Sequence, residues 1–449
     1  MNWLFDNFRE FGDRKAIICN DKEFTYGFLY AQTIDYIAEL SNNKVEPGAI
    51  VAILSNYSFE SISVFLALAL NKNIIVPITN IVDDEIASRI NLSNPNYLIR
   101  FTDGRIKIEK YNNNQCINNE YLSQLNKIGN PGLILFSSGT TGIPKAMVHD
   151  LGVLIESYAE KKSKSLVFLL FLLFDHIGGL NTLLNSLSMG ITIVIPDERN
   201  ADKICELIQK YRIDVLPASP TFLNLLLMNN SYKKYDLSSL RLITYGTEPM
   251  SESLLSRIRN SLPKVKLIQT FGTSETGIAQ VSSQSSSSIG MKINDPNLEY
   301  KIVDNVLWLK SKTQILGYLN HSMSNFSSDG WFNTGDIVEM IDDEYFKIIG
   351  RKSDIINVGG QKVFPSEVES ILMQIDAVDD CLVFGEKNAM VGEIVVADIV
   401  LKENINAMDG KKIIRTFCLA KLDPYKIPVK INIVQQTQFN NRFKKNRIK

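Results

Sequence analysis

The chain contains few of the residues that bind metals or form cross-links. It has five cysteines and three histidines in 449 residues, and no two cysteines stand in a CxxC pair. An odd number of widely separated cysteines argues against a disulfide framework. So few cysteines and histidines argue against a structural zinc site. We therefore expect reduced thiols, as in the cytoplasm.

An excess of charge and a long apolar run are also missing. The 48 Lys and Arg residues balance 49 Asp and Glu residues, which excludes a general attraction to nucleic acid or anionic lipid. The most apolar stretch, residues 166–174, is far shorter than the ~20 residues of a membrane span and predicts a fully buried strand. Because residues 1–15 carry charges where a secretory signal is apolar, we expect a cytoplasmic chain without a membrane span.

The distribution of apolar residues predicts an α/β multidomain protein. Helix-like and strand-like segments alternate as far as residue 271, which favours doubly wound, largely parallel sheets. Shorter strands between 300 and 349 predict a β-rich subdomain. The last hundred residues predict a small α+β domain, with a capping box of Ser366 and Glu369 at its first helix. We place the domains at 1–352 and 353–449.

A segment rich in glycine and hydroxyl groups follows the apolar strand 133–136. Residues 137–145 read SSGTTGIPK, where backbone N–H groups, hydroxyls and the Lys145 ammonium can converge on phosphate oxygens. The common pattern G-x-x-x-x-G-K-[ST] is not met, because Pro144 replaces its second glycine and Ala146 its last hydroxyl residue. The segment predicts a phosphate loop of another kind. Its candidate ligands are Ser137, Ser138, Gly139, Thr140, Thr141, Gly142 and Lys145.

SSGTTGIPK resembles the phosphate-loop signature of the adenylate-forming superfamily. That superfamily contains acyl- and aryl-CoA synthetases, the adenylation domains of peptide synthetases, and firefly luciferase. Four further segments resemble its motifs in the required order, and they are YGTEP at 245–249, TFGTSETG at 270–277, WFNTGD at 331–336 and GRKSDIINVGGQKVFPSEVE at 350–369. The resemblance covers nearly the whole chain. It implies an AMP-binding ligase with a large N-terminal domain and a mobile C-terminal lid.

The chemistry of that superfamily accounts for the residue types. ATP and a carboxylate give an acyl-adenylate and pyrophosphate, so two anions must be brought together. Unit charges ~4 Å apart interact by about 4 kcal/mol at an effective dielectric near 20, which explains the need for Mg²⁺ and lysines. The resemblance implies that Glu275 binds Mg²⁺, that Asp336 holds the ribose hydroxyls, and that Phe271 stacks on adenine. It assigns the remaining ATP or AMP contacts to Gly246, Thr247, Glu248, Gly272, Thr273, Ser274 and Arg351.

The catalytic lysine of the superfamily follows its last strand. An ungapped alignment that starts at 431–436 places Lys444 at this position and Phe443 where glycine is expected. Lys445 stays the alternative, and a basic tail without a catalytic role is the third reading. Arg351 is expected to hold the ribose or the phosphates and is included with the catalytic residues.

The segment 173–180 bears on the substrate. The spacing from His176 to Gly190 resembles that of acyl-CoA synthetases, which implies that His176 lies beside the acyl carboxylate. Asp175 resembles the aspartate that grips the amino group in amino-acid adenylation domains, so amino-acid activation stays open as an alternative. A pocket-facing Asp175 would disfavour a plain fatty acid, unless the carboxylate pairs with Arg, Lys or a backbone N–H.

The hinge motif bears on the acceptor. The resemblance places the pivot between two half-reactions at Ser353, and it places Gly359 and Gly360 in a loop that enters the site for the second one. This favours thioester formation with CoA or with the phosphopantetheine of an acyl carrier protein. A catalytically impaired adenylate-binding protein is the further alternative, suggested by Phe443, Asn333 and Ser353, which depart from the motifs.

Overall fold

The computed structural model describes residues 1–79, 82–102, 104–111, 119–137, 143–440, 443–445 and 447. Helices and strands alternate through the first 270 residues, as predicted. The described helices are α1 (Asn2–Phe11), α2 (Tyr26–Asn42), α3 (Phe59–Leu70), α4 (Asp83–Ser93), α5 (Glu120–Ile128), α6 (Leu151–Glu156), α7 (Ile177–Ser188), α8 (Ala201–Tyr211), α9 (Pro220–Met228), α10 (Ser231–Lys234), α11 (Glu252–Ser261), α12 (Pro365–Leu372) and α13 (Ala407–Lys421). Short 3-10 helices cover Lys352–Asp354 and Pro424–Lys426.

Two sheets of seven described strands each form the large domain. The first has the order β13 (Lys266–Gln269), β12 (Leu242–Tyr245), β11 (Val215–Ala218), β9 (Val167–Leu169), β10 (Thr192–Ile195), β1 (Lys15–Cys19) and β2 (Lys22–Thr25). The second has the order β20 (Gly317–Tyr318), β8 (Lys145–Asp150), β7 (Gly132–Ser137), β4 (Ile74–Ile78), β3 (Ile50–Leu54), β5 (Tyr97–Thr102) and β6 (Arg105–Lys110). Most neighbours in the first sheet are parallel. Antiparallel pairs lie at its edge and on both sides of the second sheet.

The β-rich subdomain is antiparallel, as its short strands predict. Its sheet has the order β16 (Val281–Ser283), β17 (Met291–Ile293), β22 (Phe346–Arg351), β21 (Phe332–Met340), β19 (Val306–Ser311) and β18 (Leu298–Val303). A separate hairpin joins β14 (Phe271–Thr273) to β15 (Gly277–Ala279). The pairing of β21 with β22 places Asp336 opposite Arg351.

The last part of the chain folds around a sheet of its own. β25 (Val378–Asn388) and β26 (Gly392–Leu401) pair over their whole lengths, and β23 (Ile356–Val358), β24 (Gln361–Val363) and β27 (Lys430–Ile433) complete the sheet. α12 and α13 pack on it around a core that includes Leu372, Cys381 and Ile414. The mixed α/β fold with a smaller C-terminal domain confirms the predicted fold class.

Two local predictions are wrong. Residues 166–174 do not form one strand, because pairing ends at Leu169 and the chain then turns to deliver Asp175 and His176. The capping box at α12 is also absent, because Phe364 is the N-cap and has no side-chain acceptor. Ser366 instead donates its hydroxyl proton to the carbonyl of Ile349, and tertiary partners bind the Glu369 carboxylate.

None of the helices in the described part of the chain is both long and apolar enough to cross a membrane.

Candidate active site

A cavity of ≈ 290 Å³ lies where the large domain, the β-rich sheet and the C-terminal tail meet. Four of the motifs that the sequence singled out contribute to its wall. Its lining includes Gly246, Thr247, Glu248, Phe271, Gly272, Asp336, Arg351, Ser353 and Lys444. Residues separated by up to about 200 positions are thus brought to one place by the fold.

Asp336 and Arg351 form the charged floor of this cavity. The Arg351 Nε donates to Asp336 Oδ1 at 3.1 Å across the β21–β22 pair. Asp336 is 5% exposed, and this burial raises the pKa of its carboxyl against the opposing effect of Arg351. The charge of Asp336 raises the pKa of Arg351 in turn. The Arg351 guanidinium is half-exposed, and both Arg351 and Asp336 line the cavity, so a polar ligand can bind either group.

The turn before Asp336 is made by Asn333, Thr334 and Gly335, of which Asn333 departs from the superfamily motif. Asn333 Oδ1 accepts the backbone N–H of Gly335 at 3.0 Å, and Gly335 has a φ of +71°. Thr334 Oγ1 accepts the N–H of Asp336 and donates to the carbonyl of Leu307. Asn333 therefore fixes the turn that presents Asp336, as Asn and Asp side chains do in such turns.

The two ends of the predicted phosphate loop lie on adjacent strands. Ser137 ends β7 and Lys145 begins β8, and the two residues pair in the antiparallel ladder. The candidates Ser138, Gly139, Thr140, Thr141 and Gly142 lie outside the described residues. Asn320 holds the described end of the loop, because its Nδ2 donates to the carbonyl of Pro144 and its Oδ1 accepts the N–H of Ala146.

Tyr318 connects Lys145 with Glu275. The Lys145 ammonium lies 5.9 Å from the centre of the Tyr318 ring, and the Tyr318 hydroxyl donates to Glu275 Oε1 at 3.1 Å. Burial, followed by the charge of Glu275, raises the pKa of the Tyr318 hydroxyl, which keeps it a hydrogen-bond donor. The cation of the phosphate loop and the predicted metal ligand therefore face the same region.

Glu275 fits a Mg²⁺ site that is shared with a phosphate ligand. No group of three His, Cys, Asp or Glu side chains that could hold a metal occurs among the described residues. Mg²⁺ commonly binds one or two carboxylates together with substrate phosphates and waters. The partly exposed Glu275 supplies such a carboxylate, bonded to the Tyr318 that Lys145 contacts, and Thr273 and Thr276 hold its turn by mutual hydrogen bonds.

The segments at 245–249 and 270–274 come into close contact. A Cβ atom on Gly246 would lie 2.4 Å from Thr270 Oγ1, so only glycine fits there. Glu248 accepts the N–H of Thr221 at 2.7 Å and that of Lys445 at 3.3 Å. Burial raises the pKa of the Glu248 carboxyl despite these contacts. Thr247 has a left-handed backbone with a φ of +71°.

The hairpin strand β14 contributes residues that are mostly buried. Phe271 is 7% exposed and packs in the core of the β-rich subdomain, with one side on the cavity. Gly272 and Thr273 follow it in the strand, and Ser274 begins the turn that leads to Glu275. The structure thus places this motif between a hydrophobic core and the cavity.

Asp175 and His176 sit at the start of α7. The buried Asp175 carboxylate binds Arg89, with Nη1 and Oδ2 2.5 Å apart, and the two side chains are 2% and 10% exposed. His176 caps α7 through Nδ1, which accepts the N–H of Gly178 at 3.1 Å. A neutral His176 therefore carries its proton on Nε2. Neither residue is among the described residues that line the ≈ 290 Å³ cavity.

The two tail lysines have different surroundings. Lys444 borders the cavity, where burial and the nearby Arg351 lower the pKa of its ammonium while Glu248, Asp354 and Asp336 oppose the shift. Lys445 also lines the cavity, but its ammonium binds the carbonyl of Cys381 at 2.5 Å and lies 3.4 Å from Asp380. Burial would lower the pKa of Lys445, but Asp380 and Glu369 raise it.

Ser353 lines the cavity from the 3-10 helix that joins the β-rich sheet to the C-terminal domain. Its hydroxyl donates to Asp354 Oδ1 at 2.8 Å. Gly359 and Gly360 form an exposed turn with positive φ between β23 and β24, and they are not among the described residues of that lining. The Gly359–Gly360 turn is thus separate from the described residues that line the cavity with Lys444.

Three contacts were missed by the sequence analysis. Tyr318, Asn320 and Arg89 lie outside every recognised motif, yet they bind Glu275, the loop end and Asp175. Arg89 lies in a helix with acidic residues in its first turn, where a solvated arginine is the ordinary expectation. The one sequence signal for the Arg89–Asp175 pair was that Asp175 follows an apolar run and is therefore expected to be buried. A buried carboxylate requires a partner.

Comparison with known proteins gives matches along most of the chain. The family model "AMP-binding enzyme" matches residues 4–307, and "AMP-binding enzyme C-terminal domain" matches residues 367–444. A 4-coumarate-CoA ligase of Narcissus pseudonarcissus is 30% identical over 297 residues, which is 59% of this chain and 54% of that protein. A 2-succinylbenzoate–CoA ligase of Listeria monocytogenes is 28% identical, over 68% of this chain and 66% of its own.

A crystal structure of an anthranilate CoA ligase in complex with anthranoyl-AMP has a TM-score of 0.84 and 21% identity. It covers 99% of this chain and 95% of that one. At this identity the likeness concerns the fold. The chain spans between about half and two thirds of the length of the first relatives that it matches.

Proposed function

This chain belongs to the AMP-binding enzyme family, and we propose that it activates a carboxylic acid with ATP and then transfers the acyl group to a thiol. The observation that carries the proposal is the meeting of Asp336, Arg351 and Lys444 at one cavity between the two domains. Arg351 and Lys444 supply positive charge for a phosphate, and the buried Asp336 carboxylate can accept hydrogen bonds from a ribose. The cavity therefore suits a nucleoside monophosphate joined to an acyl group. ATP is the co-substrate, and the thiol belongs to CoA or to a phosphopantetheine.

In the first half-reaction the acid attacks the α-phosphorus of ATP and pyrophosphate leaves. Lys444 neutralises the charge that builds up between the attacking carboxylate and the α-phosphate, a stabilisation that is strongest where water is excluded. Asp336 accepts hydrogen bonds from the ribose hydroxyls, and Arg351 both orients Asp336 and faces the phosphates. Lys145 and the loop 137–145 hold the departing phosphates.

Bound Mg²⁺ supplies further positive charge to the phosphate oxygens. Glu275 would hold it, with the Tyr318 hydroxyl fixing the orientation of the carboxylate. Hydrogen bonds from neighbouring groups to a ligating carboxylate commonly tune such sites.

In the second half-reaction the thiol replaces AMP on the acyl carbonyl. We propose domains at 1–352 and 353–449 with Ser353 as the pivot, since Ser353 lies in the short connection between two separately packed sheets. Rotation there carries Lys444 away and brings the exposed Gly359–Gly360 turn to the site. His176 is the proposed residue beside the acyl group.

An aryl or acyl acid fits better than an amino acid. The Asp175 carboxylate, which would grip an amino group in the alternative reading, is buried and bonded to Arg89. The names of the relatives, which act on 4-coumarate and 2-succinylbenzoate, support an aryl acid. The impaired-binder alternative also loses support, because Asn333 builds the Asp336 turn and Phe443 adopts the backbone conformation of a glycine.

The test is carboxylate-dependent exchange between ATP and labelled pyrophosphate. The panel contains 4-coumarate, 2-succinylbenzoate, anthranilate, aliphatic acids of several lengths and the common amino acids. Exchange with an aryl or aliphatic acid supports the proposal, exchange with amino acids alone favours the alternative, and no exchange with any acid refutes activation. Product analysis with CoA and with an acyl carrier protein then identifies the acceptor. The cytoplasmic location stays a prediction.

A further inference from the structure

Phe443, which directly precedes Lys444, has a left-handed backbone. Its φ is +51°, a region where a side chain is crowded and which glycine adopts freely. A bulky residue stays in this conformation only where surrounding contacts hold it. The contacts of Phe443 therefore decide how Lys444 is presented.

The Phe443 ring docks on the large domain. Its centre lies 5.4 Å from those of Phe171 and Phe222, within the range for attractive aromatic pairs. Both partners are fully buried in the core around the first sheet. Phe439 stacks on the ring at 5.5 Å, and the Arg199 guanidinium lies 6.0 Å from its centre. A residue of the C-terminal tail is thus packed against N-terminal core residues.

The backbone on both sides of Lys444 is also anchored. The Ser219 hydroxyl donates to the carbonyl of Phe443 at 2.8 Å, which attaches the tail to the start of α9. On the other side, the Lys445 backbone N–H donates to Glu248 of the large domain, and the Lys445 ammonium binds the carbonyl of Cys381 in the C-terminal domain. Lys444 therefore lies between two residues whose backbones are bonded to the large domain, and the second of them also binds the C-terminal domain through its side chain.

We propose that Phe443 is a positioning residue, an aromatic latch that holds Lys444 in the cavity for the first half-reaction and withdraws for the second. The inference rests on the proposed function of Lys444. Removing the ring leaves Lys444 present but poorly placed, and misplacement by ~1 Å can cost about 100-fold in rate. The second half-reaction does not use Lys444, so it does not require the latch.

Four variants of Phe443 distinguish the contribution of the aromatic ring from that of the left-handed backbone. Phe443→Ala removes the ring, and Phe443→Gly removes the ring while keeping the left-handed backbone accessible. Phe443→Tyr keeps the ring, and Phe443→Leu keeps part of the apolar contact. We expect pyrophosphate exchange to fall by about 10- to 100-fold in the Ala and Gly variants, less in Leu, and little in Tyr. Thioester formation from supplied acyl-adenylate should stay at the wild-type rate or rise in all four.

Limited digestion with trypsin, with and without AMP, measures docking independently of activity. Cleavage after Lys444 should be about tenfold faster or more in the Ala and Gly variants, while the melting temperature stays within about 3 °C. Normal exchange and unchanged cleavage in Phe443→Gly would overturn the latch, because a glycine backbone would then suffice. Wild-type protein that exchanges with no acid would refute the proposed function, while faster cleavage in the variants would still support docking of the ring.

Discussion

Neighbouring residues of the tail differ because of what surrounds them. Lys444 and Lys445 are identical in chemistry and adjacent in sequence. Only Lys445 has a described carbonyl and carboxylate beside its ammonium, at Cys381 and Asp380. Both lysines line the cavity, but Arg351 and Asp336 act on the pKa of the Lys444 ammonium. The proposed roles are therefore catalysis for Lys444 and structural support for Lys445.

Substitution of each lysine tests this division. Lys444→Ala should slow pyrophosphate exchange by ~10²–10³ and leave thioester formation from supplied acyl-adenylate nearly normal. Lys445→Ala should instead lower the melting temperature, because the Asp380 carboxylate loses its cation. A larger exchange defect in Lys445→Ala at unchanged melting temperature would mean that the alignment of the tail is off by one residue.

The pH dependence of exchange should reflect the surroundings of Lys444. Burial and Arg351 lower its pKa, against Glu248, Asp354 and Asp336. A lysine is charged below its pKa, so exchange should fall as pH rises, beginning below the ~10.4 of an ordinary lysine. An arginine at this position stays charged in this range, so the fall in exchange at high pH should disappear in Lys444→Arg. An unchanged alkaline limb in Lys444→Arg would assign the decline to another group.

Glu275 should carry the metal dependence. Glu275→Gln keeps the shape of the side chain and removes its charge, so exchange should fall by ~10² or more. A higher Mg²⁺ concentration should restore part of the rate. Glu299→Gln, on an exposed position of β18, is the matched control and should exchange normally. Near-normal exchange in folded Glu275→Gln protein would refute the assignment.

At the scale of elements, two predicted boundaries differ from those in the structure, and a buried charge pair lies close to each of them. The apolar run 166–174 looks continuous, but only Val167–Leu169 pair in the sheet. The chain then turns, and Asp175 enters the interior against Arg89 of α4. Likewise, α12 lacks its predicted capping box because Phe364 is the N-cap, which places Ser366 inside the helix, and Glu369 binds Arg447 and the N–H of Val383 instead. In both places the local sequence pattern does not show the long-range charge pair that the fold forms nearby.

The Arg89–Asp175 pair should be important for stability. Arg89→Ala leaves a buried carboxylate without its cation, which should lower the free energy of unfolding by ~3–5 kcal/mol. Arg9 and Asp6 form the matched control, because a guanidinium nitrogen and a carboxylate oxygen also lie 2.5 Å apart there but both side chains are exposed. Arg9→Ala should have a much smaller effect, since solvent and salt screen the pair. Equal losses in urea titrations of the two variants would contradict the role of burial.

At the scale of the whole molecule, the cavity exists because two separately packed domains meet there. Asp336 and Arg351 come from the β-rich sheet, and Lys444 comes from the tail. The Gly359–Gly360 turn is exposed elsewhere on the C-terminal domain. In this arrangement of the domains Lys444 lines the cavity and the turn does not, so the proposed second half-reaction requires a different arrangement of the domains.

A proline at the pivot should separate the two half-reactions. Ser353→Pro fixes φ and removes a backbone N–H, which should preserve pyrophosphate exchange and abolish thioester formation. Ser353→Ala keeps the backbone free and should support both steps. Equal loss of both half-reactions in Ser353→Pro, at an unchanged melting temperature, would show that Ser353 is not the pivot.

Much of this architecture could be predicted from the sequence. The alternation of apolar segments gave the parallel sheets, and ordered motifs brought 245–249, 270–277 and 331–336 into one proposed site. Such inferences succeed because strand and helix periodicity are local, and because a glycine such as Gly246 is required by the close approach of two backbone segments.

The sequence alone could not supply the partners that lie far apart along the chain. Nothing near Arg89 indicates Asp175, nothing near Tyr318 indicates Glu275, and the aromatic character of Phe443 gives no sign of Phe171 or Phe222. Residue types and their spacing determined which chemical groups the chain carries. Tertiary packing decided which charged groups surround each of two adjacent lysines, because burial and the distance to other charges arise only when separate segments meet.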